Sequence, residues 1–465
     1  MRVSTRLLGT FVFLCTAWVG IAGQEKPLLL ALELVPVLGP DGKPFAAEYS
    51  ALDRSPLGPG DGAYFTLRTS PLAGRAWHLD GTKCVEVLVE GEETAAERDG
   101  PQIIETAGTT YLVTRHDRLR RFWKLDGSKG QPVLDAAGKP FAIYPGNYVH
   151  RDGLFLSDGE SRASIPRLFE ISGLKAVEVE IKREGQALPE FGIFSQAWRL
   201  DGKLLVSFGY RGGNARFYWL IDGLFVQTGE TVKVDTTCLW NNRLFVGREG
   251  SAGPDGMFVI TKDGMKPLKD DRLVGGVARR GPGAVLQSNK HGVYFCAKTV
   301  EGKFCLCRSE GESIILVADQ AGKPLIRDHD IGTTCAGSCV FASSGTFTEW
   351  SAWVVDRDKA AEVFSYRKES GQPHTGCKML AALPEGELLE FDKDEGVPSL
   401  ALYKWPATLQ SEVSVIDAPQ DFHGFYKLWN VREGTGRALY GVEFGPGGKY
   451  RFWLVRRANS ESKSG

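Results

Sequence analysis

Short runs rich in β-branched and aromatic residues recur along the whole chain, separated by polar, glycine-rich stretches. Nine of them share one look: "AYFTL", "TYLVT", "LFLS", "KLLVSF", "RLFVG", "GVYFC", "SCVFA", "ELLEF" and "ALYGVEF". A second run follows each, centred in turn on Trp77, Trp123, Phe169, Trp219, Phe258, Cys305, Trp353, Leu402 and Trp453, at steps of 39 to 51 residues and close to 47 on average. Short runs of β-branched and aromatic residues between tight turns predict strands rather than helices. With a further run such as "CVEVLV" or "AVEVEI", each unit reads as four short strands, A to D, strand B being the first kind and strand C the second.

An independent marker tests the period. "PVLGPDGKPFA" at 36–46 matches "PVLDAAGKPFA" at 132–142, and "LVADQAGKPLI" at 316–326 is a looser copy. Their lysines stand 96 and then 184 residues apart, close to two and four periods. A four-stranded unit of about 45 residues repeated radially is a β-propeller blade. The expected fold is therefore all-β, a propeller of about nine blades, or eight if one degenerate unit is decoration. A solenoid is the structural alternative. The last unit ends without a strand D, and "LLLALELVPV" at 28–37 aligns with the D strands, so the N-terminal strand is expected to complete the last blade and close the ring. Closure removes open sheet edges, which invite aggregation.

"RAWHLDGT" at 75–82 and "RFWKLDGS" at 121–128 are near copies, with "WLIDG" a weaker third. The Asp-Gly step predicts the tight turn from C to D, because glycine accepts positive φ. The tryptophans Trp77, Trp123, Trp219, Trp353 and Trp453 are expected between blades, where their large apolar area is buried. These strings resemble the ELWxxDGT repeat of exported bacterial propellers, with Arg75 and Arg121 in place of the first Glu. The resemblance covers about a third of the chain and implies a propeller and little else, since one fold hosts many functions.

Composition adds an address. Arg2 and Arg6 precede the apolar "LLGTFVFLCTAWVGIAG", which ends in small residues before "QEKP", the shape of a secretory signal peptide cleaved near Ala22 or Gly23. The domains expected are thus a signal at 1–23, one propeller over 24–456 and a disordered polar tail over 457–465, in a secreted, periplasmic or cell-surface protein with no transmembrane segment after cleavage. Lys plus Arg number 56 against 57 for Asp plus Glu, so no global field recruits nucleic acid. Eight cysteines remain after Cys15, and export permits disulfides. A two-residue turn at Glu301 and Gly302 would set Cys296 opposite Cys307, and Cys335 and Cys339 would close a small loop. Buried free thiols are the equal alternative, and Cys84 and Cys238 fit it.

Function is expected on the face that carries the D-to-A and B-to-C loops, the longer and more varied ones. His329, His374 and His423 stand 45 and 49 residues apart, at similar D-to-A positions in three consecutive units. With Asp328, Asp330 and Asp421 beside them they could hold a divalent ion with open positions for substrate. Arginines gather on the same face: Arg115, Arg118, Arg120 and Arg121, then Arg211 and Arg216, then Arg279 and Arg280. Their forks match carboxylates and sulfates, so an anionic polysaccharide is a natural partner. "FDKDEG" at 391–396 holds half a calcium loop, though a plain hairpin turn explains it as well. The chain has no H-E-x-x-H, G-x-S-x-G or phosphate-binding glycine loop, and no N-x-S/T sequon. Three readings follow. The first is an exported propeller that binds a glycan or an envelope protein. The second is a metal-assisted lyase or hydrolase acting on an acidic polysaccharide through the three histidines. The third is a purely structural envelope protein.

Overall fold

In a computed structural model the described residues lie between 32 and 457. Outside them fall 49–63, 71–72, 90–100, 107–108, 117–118, 145–147, 151–153, 158–166, 183–192, 210–213, 235, 248–255, 275–285, 337–338, 346–348, 368–376, 384–385, 392–398, 404–421, 423–424, 434–435 and 446–448. The segment expected as a signal, 1–23, lies outside the described residues, as does 458–465 of the expected tail, whereas Arg457 is the last residue of a paired strand. Every regular element described is a strand, and the strands pair into nine sheets. Numbered along the chain, the sheets span 64–86, 102–132, 148–178, 193–233, 236–267, 287–316, 331–367, 377–403 and 425–457. Within each, consecutive strands pair antiparallel as a simple meander. Sheet 8 is described by its backbone alone. Among the described residues, no helix is long and apolar enough to cross a membrane.

Both faces of a typical sheet are buried by its neighbours. One face of sheet 2 packs Leu112, Trp123 and Leu125 on Tyr64, Ala76 and Val87 of sheet 1. Its other face packs Tyr111, Val113 and Phe122 on Leu154, Leu156 and Ile171 of sheet 3. Equivalent cores join sheets 3 and 4, 4 and 5, 5 and 6, and 6 and 7. Phe65, Leu67 and Leu79 of sheet 1 pack on Tyr440, Val442 and Phe452 of sheet 9. This double burial explains why the B strands read as near-continuous apolar runs rather than clean alternations. The A strands of sheets 2, 3 and 4 lie side by side, as do those of 5, 6 and 7 and those of 8 and 9. Face-to-face stacking of meanders with their first strands gathered together is the arrangement of a β-propeller.

The N-terminal segment completes the last sheet. Leu32–Pro36 pairs antiparallel with the outer edge of Lys449–Arg457, from Leu32 opposite Arg457 to Pro36 opposite Trp453. The chain then turns through the Gly-Lys-Pro marker and returns as Ala46–Glu48 to pair with the other end of the same strand. On the way the hairpin reaches the next sheet: Leu38 N–H donates to Thr82 O (2.7 Å), and Leu38 O accepts from Cys84 N–H (2.8 Å). The other two markers repeat the device. Leu134 bonds to Leu174 and Ala176 of sheet 3, and Ala318 to Asp358 and Ala360 of sheet 7. A tyrosine in strand B accompanies each hairpin, its hydroxyl donating to a turn carbonyl of the next sheet: Tyr440 to Gly81 (2.8 Å), Tyr111 to Gly173 (3.1 Å) and Tyr294 to Arg357 (2.8 Å). Markers spaced two and four periods apart are thus clasps between neighbouring sheets.

Two expectations about turns and thiols are corrected. In sheets 1 and 2 the aspartate is the last paired residue of strand C, and Gly81 (φ 54°) and Gly127 (φ 52°) begin the turn. In sheet 4 the strand ends one residue earlier, at Ile221, and Asp222 (φ 50°) and Gly223 (φ 78°) both adopt the left-handed conformation. The cysteine hairpin is also shifted by one. Its loop is the three residues 300–302, with Gly302 at φ 86° and Thr299 N–H bonded to Lys303 O, so Cys296 pairs with Leu306 and Cys307 with Phe295. A one-residue slip moves a side chain to the other face, and Cys296 and Cys307 lie in different cores, each a buried free thiol. Cys84 and Cys238 are buried free thiols as well. In backbone register Cys339 stands opposite Ala336 and Cys335 opposite Val340, and their side chains lie outside the described residues.

Candidate functional site

Four of the five tryptophans occupy cores between sheets. Trp77 packs on the core shared by sheets 1 and 9, Trp123 lies between sheets 1 and 2, and Trp353 between sheets 6 and 7. Trp219 faces the opposite way, toward sheet 5. The indole N–H of Trp123 donates to Thr114 Oγ1 at 3.0 Å. Trp453 is buried against Phe422, and its N–H donates at 2.8 Å to Glu443, a carboxylate with no solvent exposure. Arg451 holds the same carboxylate in a fork at 3.0 and 2.7 Å and lies over the Trp453 ring. Glu443 and Arg451 are directly opposed across strands B and C, which explains how a buried charge is tolerated: it is paired and fully hydrogen-bonded.

The loop face expected to carry function is described in part. Arg120 and Arg121 are half-buried neighbours on strand C of sheet 2, opposite Arg115 and Thr114, and the returning strand Ala142–Ile143 pairs along their other side. Successive strand residues point to opposite faces, so the two guanidinium stems leave the strand in different directions. Arg216, half-buried in sheet 4, donates to Thr231 Oγ1 at 2.6 Å. Arg118, Arg211, Arg279 and Arg280 lie outside the described residues. His329 is exposed, and its backbone carbonyl accepts from Ser344 Oγ at 2.9 Å. His374 and His423 lie outside the described residues, as does nearly all of "FDKDEG". Among the described residues no group of three or more His, Cys, Asp or Glu is placed to hold a metal ion.

A denser polar constellation, missed in the sequence reading, sits at the opposite end, where the short turns of sheets 5, 6 and 7 meet. Glu310 is its hub: Arg308 Nη1 lies 2.5 Å from its Oε1 and Arg357 Nη2 3.8 Å from the same oxygen, while Arg243 Nη1 donates to its carbonyl at 2.6 Å. The hydrogen bond and charge of Arg308 hold the Glu310 carboxyl below the usual carboxylate range. Arg308 is itself buried and also donates to His291 O at 2.5 Å. His291 Nε2 lies 3.2 Å from Asp356 Oδ1, and Trp240 Nε1 donates to Asn289 O at 2.6 Å. Chemically this is a set of charge-assisted bonds that ties three turns into a rigid polar surface. One signal was legible in the chain. Arg357 occupies, at φ 54°, the turn position held by glycine in sheets 1, 2 and 3, a conformation unfavourable for a residue with a Cβ.

The third surface is apolar. Leu174 and Val177 of sheet 3 and Ile221, Leu224 and Val226 of sheet 4 are exposed, Val177 to 58% and Val226 to 45%. They sit on the C–D turns and outer strands of two adjacent sheets, joined where Lys182 N–H donates to Gly223 O at 2.9 Å. Val177 lies opposite Glu170, which Arg199 of sheet 4 holds, so it faces sheet 4. Ile221 lies opposite Leu224 and Val226 opposite Trp219, which sets these three on the face toward sheet 5. Between sheets 3 and 4 runs an open groove lined by Val179, Leu204 and Ile221 together with Glu180, Arg199, Lys203 and Asp222.

No family model matches the chain, and no curated protein matches it. Solved structures are similar in overall form. BamB from Moraxella catarrhalis is 12% identical, covering 90% of this chain and 97% of its own, with a TM-score of 0.35. The WD40 domain of Toxoplasma gondii coronin is 8% identical, covering 94% and 89%, with a TM-score of 0.35. Saccharomyces cerevisiae Sqt1 is 9% identical, covering 77% and 96%, with a TM-score of 0.38. At these scores the fold rests on the strand pairing and sheet packing described above.

Proposed function

We propose that the chain is an exported propeller of nine blades, its ring closed by the N-terminal strand, and that it serves as a binding scaffold for a protein partner. The observation that supports the partner's class is the exposed apolar edge of sheet 4. Single exposed apolar residues are ordinary, but Ile221, Leu224 and Val226 share one face there, with Ile221 directly opposite Leu224, and a run of exposed apolar residues bordered by charges marks a protein contact. Sheets buried on both faces give the scaffold its rigidity, and the loop ends and outer strands are what remains for recognition.

A photo-reactive amino acid placed in turn at Leu224, Val226 and, as a distant exposed control, Val300 tests the reading in an exporting host. A discrete protein adduct is expected from the first two positions and not from Val300, and it is expected to vanish when the other rim position carries a charge (Leu224→Asp or Val226→Lys). Absence of an adduct at both rim positions overturns the reading. It also does so if the purified protein is retained on an anionic polysaccharide, loses that retention in Arg120→Ala, Arg121→Ala and Arg216→Ala, and keeps it in the rim variants.

A further inference from the structure

Cys305 and Cys307 stand two residues apart on strand C of sheet 6, Phe304–Ser309, and so share a face. Both are fully buried in the core between sheets 5 and 6, and their sulfurs approach to 3.6 Å, van der Waals contact between two thiols. Cys296 of the same hairpin lies in the core on the other side of the sheet and cannot compete for either. The two thiols differ chemically. The hydrogen bond from Cys307 holds Cys305 below the ordinary thiol range, while burial pushes Cys307 well above it. Two buried thiols thus face each other within a short approach.

We propose that Cys305 and Cys307 are an oxidisable pair that closes into an intrachain disulfide under hydrogen peroxide. The Cys305 thiolate attacks one peroxide oxygen, the O–O bond breaks, and the departing hydroxide takes up a proton to leave as water with Cys305 as its sulfenic acid. The Cys307 sulfur then attacks the Cys305 sulfur, the S–O bond breaks, and the hydroxide departs as water with the Cys307 proton. Two thiols are oxidised to one disulfide while one peroxide is reduced to two waters. Residues two apart on an extended strand span about 6.7 Å, at the upper end of the Cα separations a disulfide accepts. The bond is therefore strained, and a strained disulfide is readily reduced. The strain falls on the strand that pairs with Gly292–Lys298 on one side and with Ile314–Leu316 on the other, which makes the junction of sheets 5 and 6 responsive to oxidant.

Trypsin releases residues 304–308, "FCLCR", as one peptide carrying both thiols. The full-length protein is treated with peroxide, unfolded, alkylated, digested and weighed. The expected peptide is unalkylated and two hydrogens lighter than the reduced form, and a thiol reductant applied before alkylation restores two alkylation sites. In Cys307→Ser, peroxide is expected to leave Cys305 as a sulfenic acid that dimedone captures. Recovery of the wild-type peptide with both thiols alkylated, or with Cys305 carried to the sulfinic acid and Cys307 unlinked, overturns the proposal.

Discussion

Sheets 2 and 4 carry nearly the same letters before their C–D turns, "FWKLDG" and "YWLIDG", and bury their tryptophans on opposite sides. In sheet 2, Asp126 remains in the ladder and only Gly127 takes positive φ, which turns Trp123 back toward sheet 1. In sheet 4, Asp222 joins Gly223 in the left-handed region, strand C ends one residue sooner, and Trp219 turns forward to sheet 5. The sheets differ at the outer edge as well. Sheet 2 clasps its successor with the hairpin at Leu134 and the Tyr111 hydroxyl, whereas sheet 4 ends in the long strand Leu224–Lys233, with Leu224 and Val226 exposed. A turn that begins one residue early reassigns the aromatic side chain, because strand residues alternate faces.

The largest expected effect comes from removing a clasp altogether. A chain lacking residues 32–48 loses two strands of sheet 9 and the Leu38 bonds to sheet 1. It is expected to lose cooperative thermal unfolding, as followed by near-UV circular dichroism. Next in size, Trp123→Ala and Trp219→Ala should each cost about 3–5 kcal/mol in denaturant titrations. Because the two belong to separate cores, the double variant should equal the sum within about 0.5 kcal/mol; strong coupling would mean that the two faces are not independent. Breaking the buried Glu443–Arg451 pair by Arg451→Leu should likewise cost about 3–5 kcal/mol, since it strands a carboxylate in the interior.

The turn difference itself is tested at smaller cost. Gly127→Ala meets no neighbour within 4 Å of the added Cβ, so its expected penalty of about 1–2 kcal/mol is conformational. Asp222→Gly should be close to neutral by the same measurement, because it relieves an unfavourable φ while adding freedom to the unfolded chain. Tyr111→Phe, Tyr294→Phe and Tyr440→Phe should each cost about 1 kcal/mol through the lost clasp bond, and similar values would confirm three equivalent junctions. The smallest effect is pH-dependent. The hydrogen bond from Arg272 lowers the Asp270 carboxyl below its ordinary value. Stability from this pair is therefore full above the unfolded carboxylate value of about 4 and lost as pH falls through the lowered folded value. The difference in thermal midpoint between wild type and Asp270→Asn should be present at neutral pH and vanish on acidification.

Much of this was legible. The period of the "YF" and "W" runs gave the sheet-by-sheet meander, and the three Gly-Lys-Pro markers gave the correct spacing of what proved to be clasps. The alignment of 28–37 with the D strands anticipated the pairing of Leu32–Pro36 with the last sheet. Register was not legible. Glu301 and Gly302 fit a two-residue turn in sequence, but Gly302 supplies the left-handed residue that closes a three-residue loop, and that moved Cys296 away from Cys307. The polar cluster around Glu310 left one sign in the chain, Arg357 at a turn position held elsewhere by glycine, but Arg243, Glu310 and Arg357 belong to three sheets and have no common spacing to join them. The histidine reading relied on spacing alone, and two of its three members lie outside the described residues.

By itself the sequence determined the strand class, the repeat and its length, the positions of the turns to within a residue, and the pairing of the chain's first strand with its last. These follow from local rules: short β-branched and aromatic runs between turns, glycine at positive φ and a recurrent marker. Tertiary structure alone decided which face each tryptophan and cysteine joins, because a shift of one residue, worth little in local conformational energy, exchanges one core for another. It also decided that Cys305 meets Cys307, that Tyr111, Tyr294 and Tyr440 reach the next sheet's turn, and that Ile221, Leu224 and Val226 share an exposed face at the edge of sheet 4. Each of those depends on how neighbouring sheets stack, a packing outcome that no single strand encodes.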